Sequence, residues 1–185
     1  MWAWHRNIGE GLRYDGIFLQ NLRTAGAVAD PLFGGSTGIP SGMLHALGKD
    51  ILALEVGTNS NTTYRFYDYN RKGKDGKTRP LHVKESFDIT NFNLKPTFVP
   101  QKHETHRIGD CPNFTVDEVY ADSDMDLTCD EHYMILSNID ADCTIVWNNE
   151  EIVLPQYDSL FVPFASKIIT IKQGAHLLVS NPRKD

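Results

Sequence analysis

The chain has 185 residues, 41% of them hydrophobic, with 18 Lys and Arg against 24 Asp and Glu for a net charge of −6. That length holds one domain or two small ones with a real apolar core, and the acidic balance argues against a nucleic-acid partner, which wants a basic patch. No run is long and apolar enough for a membrane span, and MWAWHRNIGEG lacks the apolar centre of a signal peptide. Three cysteines, Cys111, Cys129 and Cys143, without CxxC spacing read as thiols of a reducing compartment, so the expected location is cytoplasmic.

In chain order, residues 1–38 read as an irregular N-terminal segment containing one short helix. Asp15 caps that helix, and Phe18, Leu22 and Ala25 form its apolar face. From 25 to 38 the chain is small residues, glycines and a proline, which reads as irregular loop unable to complete a barrel edge. Residues 39–93 read as strands and turns. Gly34, then Pro40-Ser41-Gly42, then His45 fits a β-barrel metal-site pattern in which a Pro/Gly turn precedes a strand that points one histidine inward. Ile51-Leu52-Ala53-Leu54 is short enough for a buried strand and is closed by Glu55. Ionised Glu is rarely buried without a partner or a metal, which makes Glu55 a candidate for chemistry. Thr62 to Asp68 alternates aromatic and polar residues as a half-buried strand carrying Arg65. Lys74-Asp75-Gly76-Lys77 is a hairpin signal, and Glu85 to Asp88 predicts a single helical turn.

Residues 94–107 are polar, carry Pro96 and Pro100, and read as a linker. From 108 to 185 short alternating runs around Phe114–Val116, His132–Leu136, Cys143–Trp147, Ser159–Val162 and Ile168–Ile171 predict a compact antiparallel barrel or sandwich. Ile145, Trp147, Phe161 and Ile169 are its expected buried side chains.

His45, Glu55 and Arg65 stand ten residues apart, which suits successive strands and predicts that all three project to one interior side. They offer a metal ligand, a base and a fixed cation. Each also has a plainer reading: His45 as a core histidine bonded to backbone, Glu55 and Arg65 as an internal ion pair. Tyr64, Phe66 and Tyr67 are most simply packing residues, and His82 is structural. The basic cluster Arg71, Lys72, Lys74 and Lys77 reads as a solvated turn that stands within reach of a phosphate.

PSGMLHAL, then ALEVGTNSNTTYRFYDYNR, then DGKTRPLHVKESFDI resemble the central block of type I mannose-6-phosphate isomerases, members of the cupins, with a looser likeness continuing to Pro182. The resemblance covers the C-terminal half of that family. It implies an all-β chain of cupin-type antiparallel β-barrels or jelly rolls, an incomplete first barrel followed by a second C-terminal barrel without a metal site. It also implies aldose–ketose isomerisation of mannose 6-phosphate and fructose 6-phosphate, which moves a proton between adjacent carbons through an enediol. That chemistry takes a base, a Lewis acid and a cation. In the family the Lewis acid is zinc, held by a Gln-x-His pair, a glutamate and a later histidine. His45 matches the later histidine, Glu55 the acid/base carboxylate, and Arg65 the arginine near the enediol or phosphate. The other ligands have no counterparts in this chain, and Asn61 stands where the family often has Asp. Gln101-Lys102-His103 has the Gln-x-His spacing, but it follows His45 within the linker and reads as coincidence.

The expected partner is a small sugar phosphate, with neither nucleic acid nor membrane. With one metal ligand of the usual four, the chain alone is expected to be weakly active or inactive. The alternatives are a non-catalytic cupin module that binds sugar phosphate, or one half of a split isomerase completed by a partner chain that supplies the missing ligands.

Overall fold

The structure is a computed structural model and describes residues 4–5, 17–24, 35–45, 51–57, 63–129 and 132–183. The chain divides into two compact units, Met1–Pro100 and Gln101–Asp185.

The second unit follows from the sequence most directly. Its strands are β7 (His106–Asp110), β8 (Phe114–Tyr120), β9 (Met125–Thr128), β10 (Met134–Asn138), β11 (Cys143–Trp147), β12 (Glu150–Leu154), β13 (Ser159–Val162), β14 (Ile168–Ile171) and β15 (His176–Pro182). They form two antiparallel sheets, ordered β13-β10-β15-β8-β7 and β12-β11-β14-β9. From β8 onward the chain crosses repeatedly between the sheets, as in a jelly roll. Both sheets contribute to one core: Val119, Met134, Leu136, Leu177 and Val179 from the first, Cys143, Ile145, Leu154, Ile169 and Ile171 from the second. Asn148 and Asn149 take positive φ, 50° and 65°, and close the β11–β12 hairpin. Asn tolerates that conformation better than most residues, and such turns match the twist of the strands they join.

Ile145 and Ile169 are buried as expected, at 0% and 2% exposure, whereas Phe161 is 59% exposed and Trp147 36%. The reason is parity. In β13 it is Leu160 and Val162 that are covered, so Phe161 points outward and packs its ring on Tyr133 at 5.1 Å. Trp147 sits at the turn end of its hairpin, opposite Glu150.

The first unit holds β1 (Trp4–His5) paired with β5 (Thr63–Tyr64), and a four-stranded antiparallel sheet ordered β4-β2-β3-β6. The strands of that sheet are β2 (Ile17–Thr24), β3 (Gly35–Ile39), β4 (Ile51–Gly57) and β6 (Thr97–Pro100). Helix α1 (Val83–Ile89) follows Pro80, and Ile89 joins Ile39, Met43, Leu44, Tyr64 and Leu94 in a small core.

Four sequence expectations are corrected here. The short helix capped by Asp15 is absent from the described part of its span, where Ile17–Thr24 is a strand. Pairing with β3 on one side and β4 on the other outweighs weak helical spacing. Part of the segment expected to be irregular, Gly35–Ile39, is strand β3, bonded on both edges; residues 25–34 lie outside the described residues. Arg65 follows β5 rather than lying within a strand, and His45 lies in an irregular segment between the turn at Ser41-Gly42 and β4. Finally, β6 and the start of β7 fall inside 94–107, the span read as linker.

Candidate functional site

The turn that carries His45 is built on glycine. Gly42 has φ +85°, and the Met43 N–H donates to the Pro40 carbonyl at 3.1 Å, a type II arrangement that needs positive φ at its third residue. A Cβ on Gly42 would also stand 3.1 Å from the Ile89 carbonyl oxygen, so this position is closed to side chains on two counts. His45 follows three residues later, half-buried, with its Nδ1 3.0 Å from the Met43 carbonyl oxygen. A carbonyl can only accept, so the ring proton is on Nδ1 and the lone pair on Nε2.

Glu55 lies in β4, paired with Leu19 of β2, and its side chain is exposed between the half-buried Leu54 and Val56. Arg65 is half-buried and clamped at its backbone by His82: its N–H donates to His82 Nδ1 at 3.2 Å, and its carbonyl accepts from the His82 N–H at 2.8 Å. That double bond to Arg65 fits the structural role expected for His82. The Arg65 Nε is buried without a hydrogen-bond partner, and among the described residues no ion pair joins Arg65 to Glu55.

The strongest polar anchor beside Arg65 is one the sequence reading did not single out. Arg79 binds Asp68 with two parallel bonds, Nε to Oδ2 at 2.7 Å and Nη2 to Oδ1 at 2.5 Å. Asp68 is only 4% exposed. The bonds from Arg79 hold its carboxyl below the usual range against the opposing effect of burial, and the charges of Arg79, Arg65 and Arg71 add to the lowering. The sign follows directly. A depressed folded-state pKa contributes stability that is present above the unfolded value of 3.8 and lost as pH falls through the folded value. Acid below about pH 4 is therefore expected to weaken the first unit. Asp68→Asn is expected to cost about 1–3 kcal/mol at pH 7 and to flatten that acid limb, measured by urea denaturation across pH. An unchanged acid limb would contradict the assignment.

Beyond Asp68, the basic residues 71–79 form the expected hairpin, with Lys72 bridged to Thr78 and Gly76 at φ +73°.

The second unit contains a polar cluster that the sequence reading missed. On the face of the first sheet away from the core, Glu118 and Tyr120 of β8 lie beside His106 of β7 and His176 of β15. His176 Nε2 is 2.8 Å from Glu118 Oε1, the Tyr120 hydroxyl donates to the same oxygen at 3.1 Å, and the Tyr120 and His176 rings stack at 4.0 Å. Gln101 Nε2 donates to the Tyr120 hydroxyl at 3.4 Å, and the His103 ring stands edge-on to Tyr120 at 5.8 Å. Burial pushes the Tyr120 phenol up to about 12, opposed by its bond to Gln101 and helped by the charge of Glu118 and the bond to it. These residues are scattered over four segments, and only strand register brings them together.

The three cysteines are buried, and burial, helped by Asp142, pushes the Cys143 thiol up. Among the described residues, no helix is long and apolar enough to cross a membrane. Nor do three His, Cys, Asp or Glu side chains among them gather as a ready metal site, so those residues alone do not fit the zinc of the resembling family.

No protein-family profile matches the chain. It is 29% identical over 153 residues to the mannose-6-phosphate isomerase ManA of Bacillus subtilis, across 77% of this chain and 47% of that protein. It is 32% identical over 130 residues to the mannose-6-phosphate isomerase of Streptococcus mutans, across 68% of this chain and 41% of that protein. The chain thus spans a little under half the length of these relatives. In structure it resembles the mannose 6-phosphate isomerase from Bacillus subtilis, with a TM-score of 0.69 over 97% of this chain and 63% of that one, at 22% identity. Sequence and fold agree: the chain is a relative of the mannose-6-phosphate isomerases, with an all-β antiparallel fold, matched over about half of their length.

Proposed function

We propose that this chain serves the interconversion of mannose 6-phosphate and fructose 6-phosphate, with His45, Glu55 and Arg65 as its contribution to the site. The similarity over 153 residues to a mannose-6-phosphate isomerase carries this reading. In such a reaction a base moves a proton between two adjacent carbons while a cation stabilises the enediolate or holds the phosphate. Glu55 is exposed and able to meet a substrate carbon, taking the proton from one carbon and returning it to the next. Arg65 is the cation: its backbone is fixed, and its Nε makes no hydrogen bond among the described residues. His45 is the one residue here that matches the family's zinc ligands, with Nε2 as the coordinating nitrogen. The remaining ligands would come from a partner chain, and zinc, when bound, would polarise the sugar oxygens. Three cysteines, odd in number and without CxxC spacing, favour a cytoplasmic setting.

A second reading is a non-catalytic cupin module that binds sugar phosphate without turning it over. The short donor set among the described residues favours it. A coupled isomerase assay with and without zinc, beside titration with fructose 6-phosphate, separates the readings. The isolated chain is expected to bind the sugar phosphate and to convert little or none of it. Adding a polypeptide bearing the Gln-x-His and glutamate ligands is expected to restore turnover. Zinc-dependent turnover by the chain alone, lost in His45→Ala, would overturn the module reading. Absence of both binding and restored turnover would overturn the isomerase reading.

A further inference from the structure

The sheet that carries Glu55 has one covered face and one that is open along much of its length. Antiparallel partners direct their side chains to the same side, so register fixes which residues share a face. Leu19 of β2 pairs with Glu55 of β4 on one side and with Thr37 of β3 on the other, and Thr37 pairs in turn with Phe98 of β6. Glu55, Thr37 and Phe98 therefore stand in one row across the sheet. The alternate residues face the other way: Ser36 is 1% exposed, and Leu54, Val56 and Val99 are half-buried. On the row's own face Glu55 is exposed, Thr37 is half-buried and Phe98 is 49% exposed. Toward the Pro40 turn this face closes, where Ile39, two residues beyond Thr37, is buried in the small core with Met43.

A hexose phosphate offers a protein its reacting carbons, its hydroxyls and the C–H faces between them. The row holds one residue type for each. The Glu55 carboxylate suits a carbon-bound proton, the Thr37 hydroxyl can donate to or accept from a sugar hydroxyl, and the Phe98 ring presents a π-face of partial negative charge to C–H groups. Small-molecule sites combine aromatic lining with a few placed polar groups in this manner. Neighbouring strands lie about 4.8 Å apart, which sets Glu55 about 10 Å from Thr37 and about 14 Å from Phe98 at the backbone. Side chains that lean over the row shorten both gaps to the reach of an extended six-carbon chain. Gly35, two residues before Thr37 on the same face, adds no side chain and leaves room beside the threonine.

We propose that Thr37 and Phe98 are substrate-contacting residues of the Glu55 site, the Thr37 hydroxyl bonding a sugar hydroxyl and the Phe98 ring packing on the C–H face of the same sugar. On the isomerase reading of Glu55, on which this rests, Arg65 meets the ligand's charge and the row meets its carbon chain. The row thereby selects a hexose phosphate over a bare anion. Phe98 lies in the span that the sequence marks as linker, and only the pairing of β6 with β3 brings it to this face.

The test titrates the whole chain with fructose 6-phosphate by calorimetry, in wild type and in Phe98→Leu, Phe98→Tyr, Thr37→Val and Thr37→Ser. The melting temperature of each is followed in parallel. Phe98→Leu keeps an apolar side chain without the ring, and Thr37→Val keeps the shape without the hydroxyl. Each is expected to weaken binding about three- to tenfold, whereas Phe98→Tyr and Thr37→Ser stay within about twofold of wild type. Phe98 is half in solvent on an edge strand, so both of its variants are expected to fold. Should Thr37→Val fail to fold, the Phe98 pair decides. Unchanged affinity in a folded Phe98→Leu or Thr37→Val protein, or a loss in Phe98→Tyr as large as in Phe98→Leu, would overturn the proposal. Binding that is weakened by Arg65→Ala but not by Phe98→Leu removes the row and leaves the isomerase reading standing. A wild type that binds no fructose 6-phosphate, alone or beside the ligand-bearing polypeptide, removes both.

Discussion

Leu177→Ala is expected to destabilise the second unit by about 2–5 kcal/mol, the largest loss of stability expected from a single substitution in this chain. Leu177 is 0% exposed and lies in β15, the central strand of its five-stranded sheet, with β10 on one side and β8 on the other. Its side chain belongs to a core that also holds Val119, Leu136, Ile145 and Ile171, so residues from both sheets surround the space its removal would leave. Hydrogen-bonded strands cannot close in to fill such a space, and the loss therefore combines transfer of the missing atoms with a retained cavity. Phe161→Ala is the matching control. It removes a larger side chain, but one that is 59% exposed on edge strand β13, and its expected cost is below about 1 kcal/mol. Urea denaturation of both variants checks the pair. A Leu177→Ala cost under about 1 kcal/mol, or a Phe161→Ala cost that exceeds it, would show that the inner and outer faces of the sheet have been exchanged.

The same two residues show what the sequence allows one to read. Around Ile145 and Ile169 a polar neighbour marks the outward side of each strand, Thr144 beside the one and Thr170 beside the other. In Ser159-Leu160-Phe161-Val162 three apolar residues run together, so the period no longer tells the face, and only pairing with β10 fixes it. The N-terminal strand is hidden for a related reason. IFLQNLRT carries both a weak helical spacing and a strand composition, and the choice is made by neighbours 14 and more residues away, including a β3 whose Gly-Ser-Thr-Gly has two glycines that disfavour a strand.

The candidate sites divide in the same manner. His45, Glu55 and Arg65 are legible because each sits in a recognisable motif, and the Gly42 turn that sets up His45 is written in the sequence as Pro-Ser-Gly. The Glu118 cluster has no motif. His106 and Glu118 come together through a register with a bulge between Arg107 and Gly109, and His176 is 58 residues from Glu118. Gln101 and His103, whose Gln-x-His spacing reads as coincidence, stand beside Tyr120.

On the proposed reading, Arg65 carries the second large effect. Its guanidinium lies close enough to Asp68 to contribute to that carboxylate's depressed pKa, yet Asp68 already has both oxygens occupied by Arg79. A cation is thus held beside an ion pair that has no remaining place for it, with a buried Nε that makes no hydrogen bond. Leaving such a donor unmatched costs about 1–3 kcal/mol, and an incoming phosphate or enediolate oxygen would recover it while neutralising the charge. Arg65→Ala is therefore expected to weaken fructose 6-phosphate binding by roughly 10–100-fold, since about 1.4 kcal/mol corresponds to each tenfold. Arg65→Lys should recover only part of that loss, because an ammonium keeps the charge but not the planar fork of donors. Folding is expected to survive both changes: the anchors of this segment are the Arg65 backbone bonds to His82 and the Asp68–Arg79 pair, and neither uses the Arg65 side chain. Calorimetric titration with fructose 6-phosphate, alongside inorganic phosphate as a probe of the anion alone, measures the effect. Equal losses for both ligands would place Arg65 at the phosphate, whereas a loss confined to the sugar phosphate would place it at the sugar carbons. Unchanged affinity for both in a folded Arg65→Ala protein would remove Arg65 from the site.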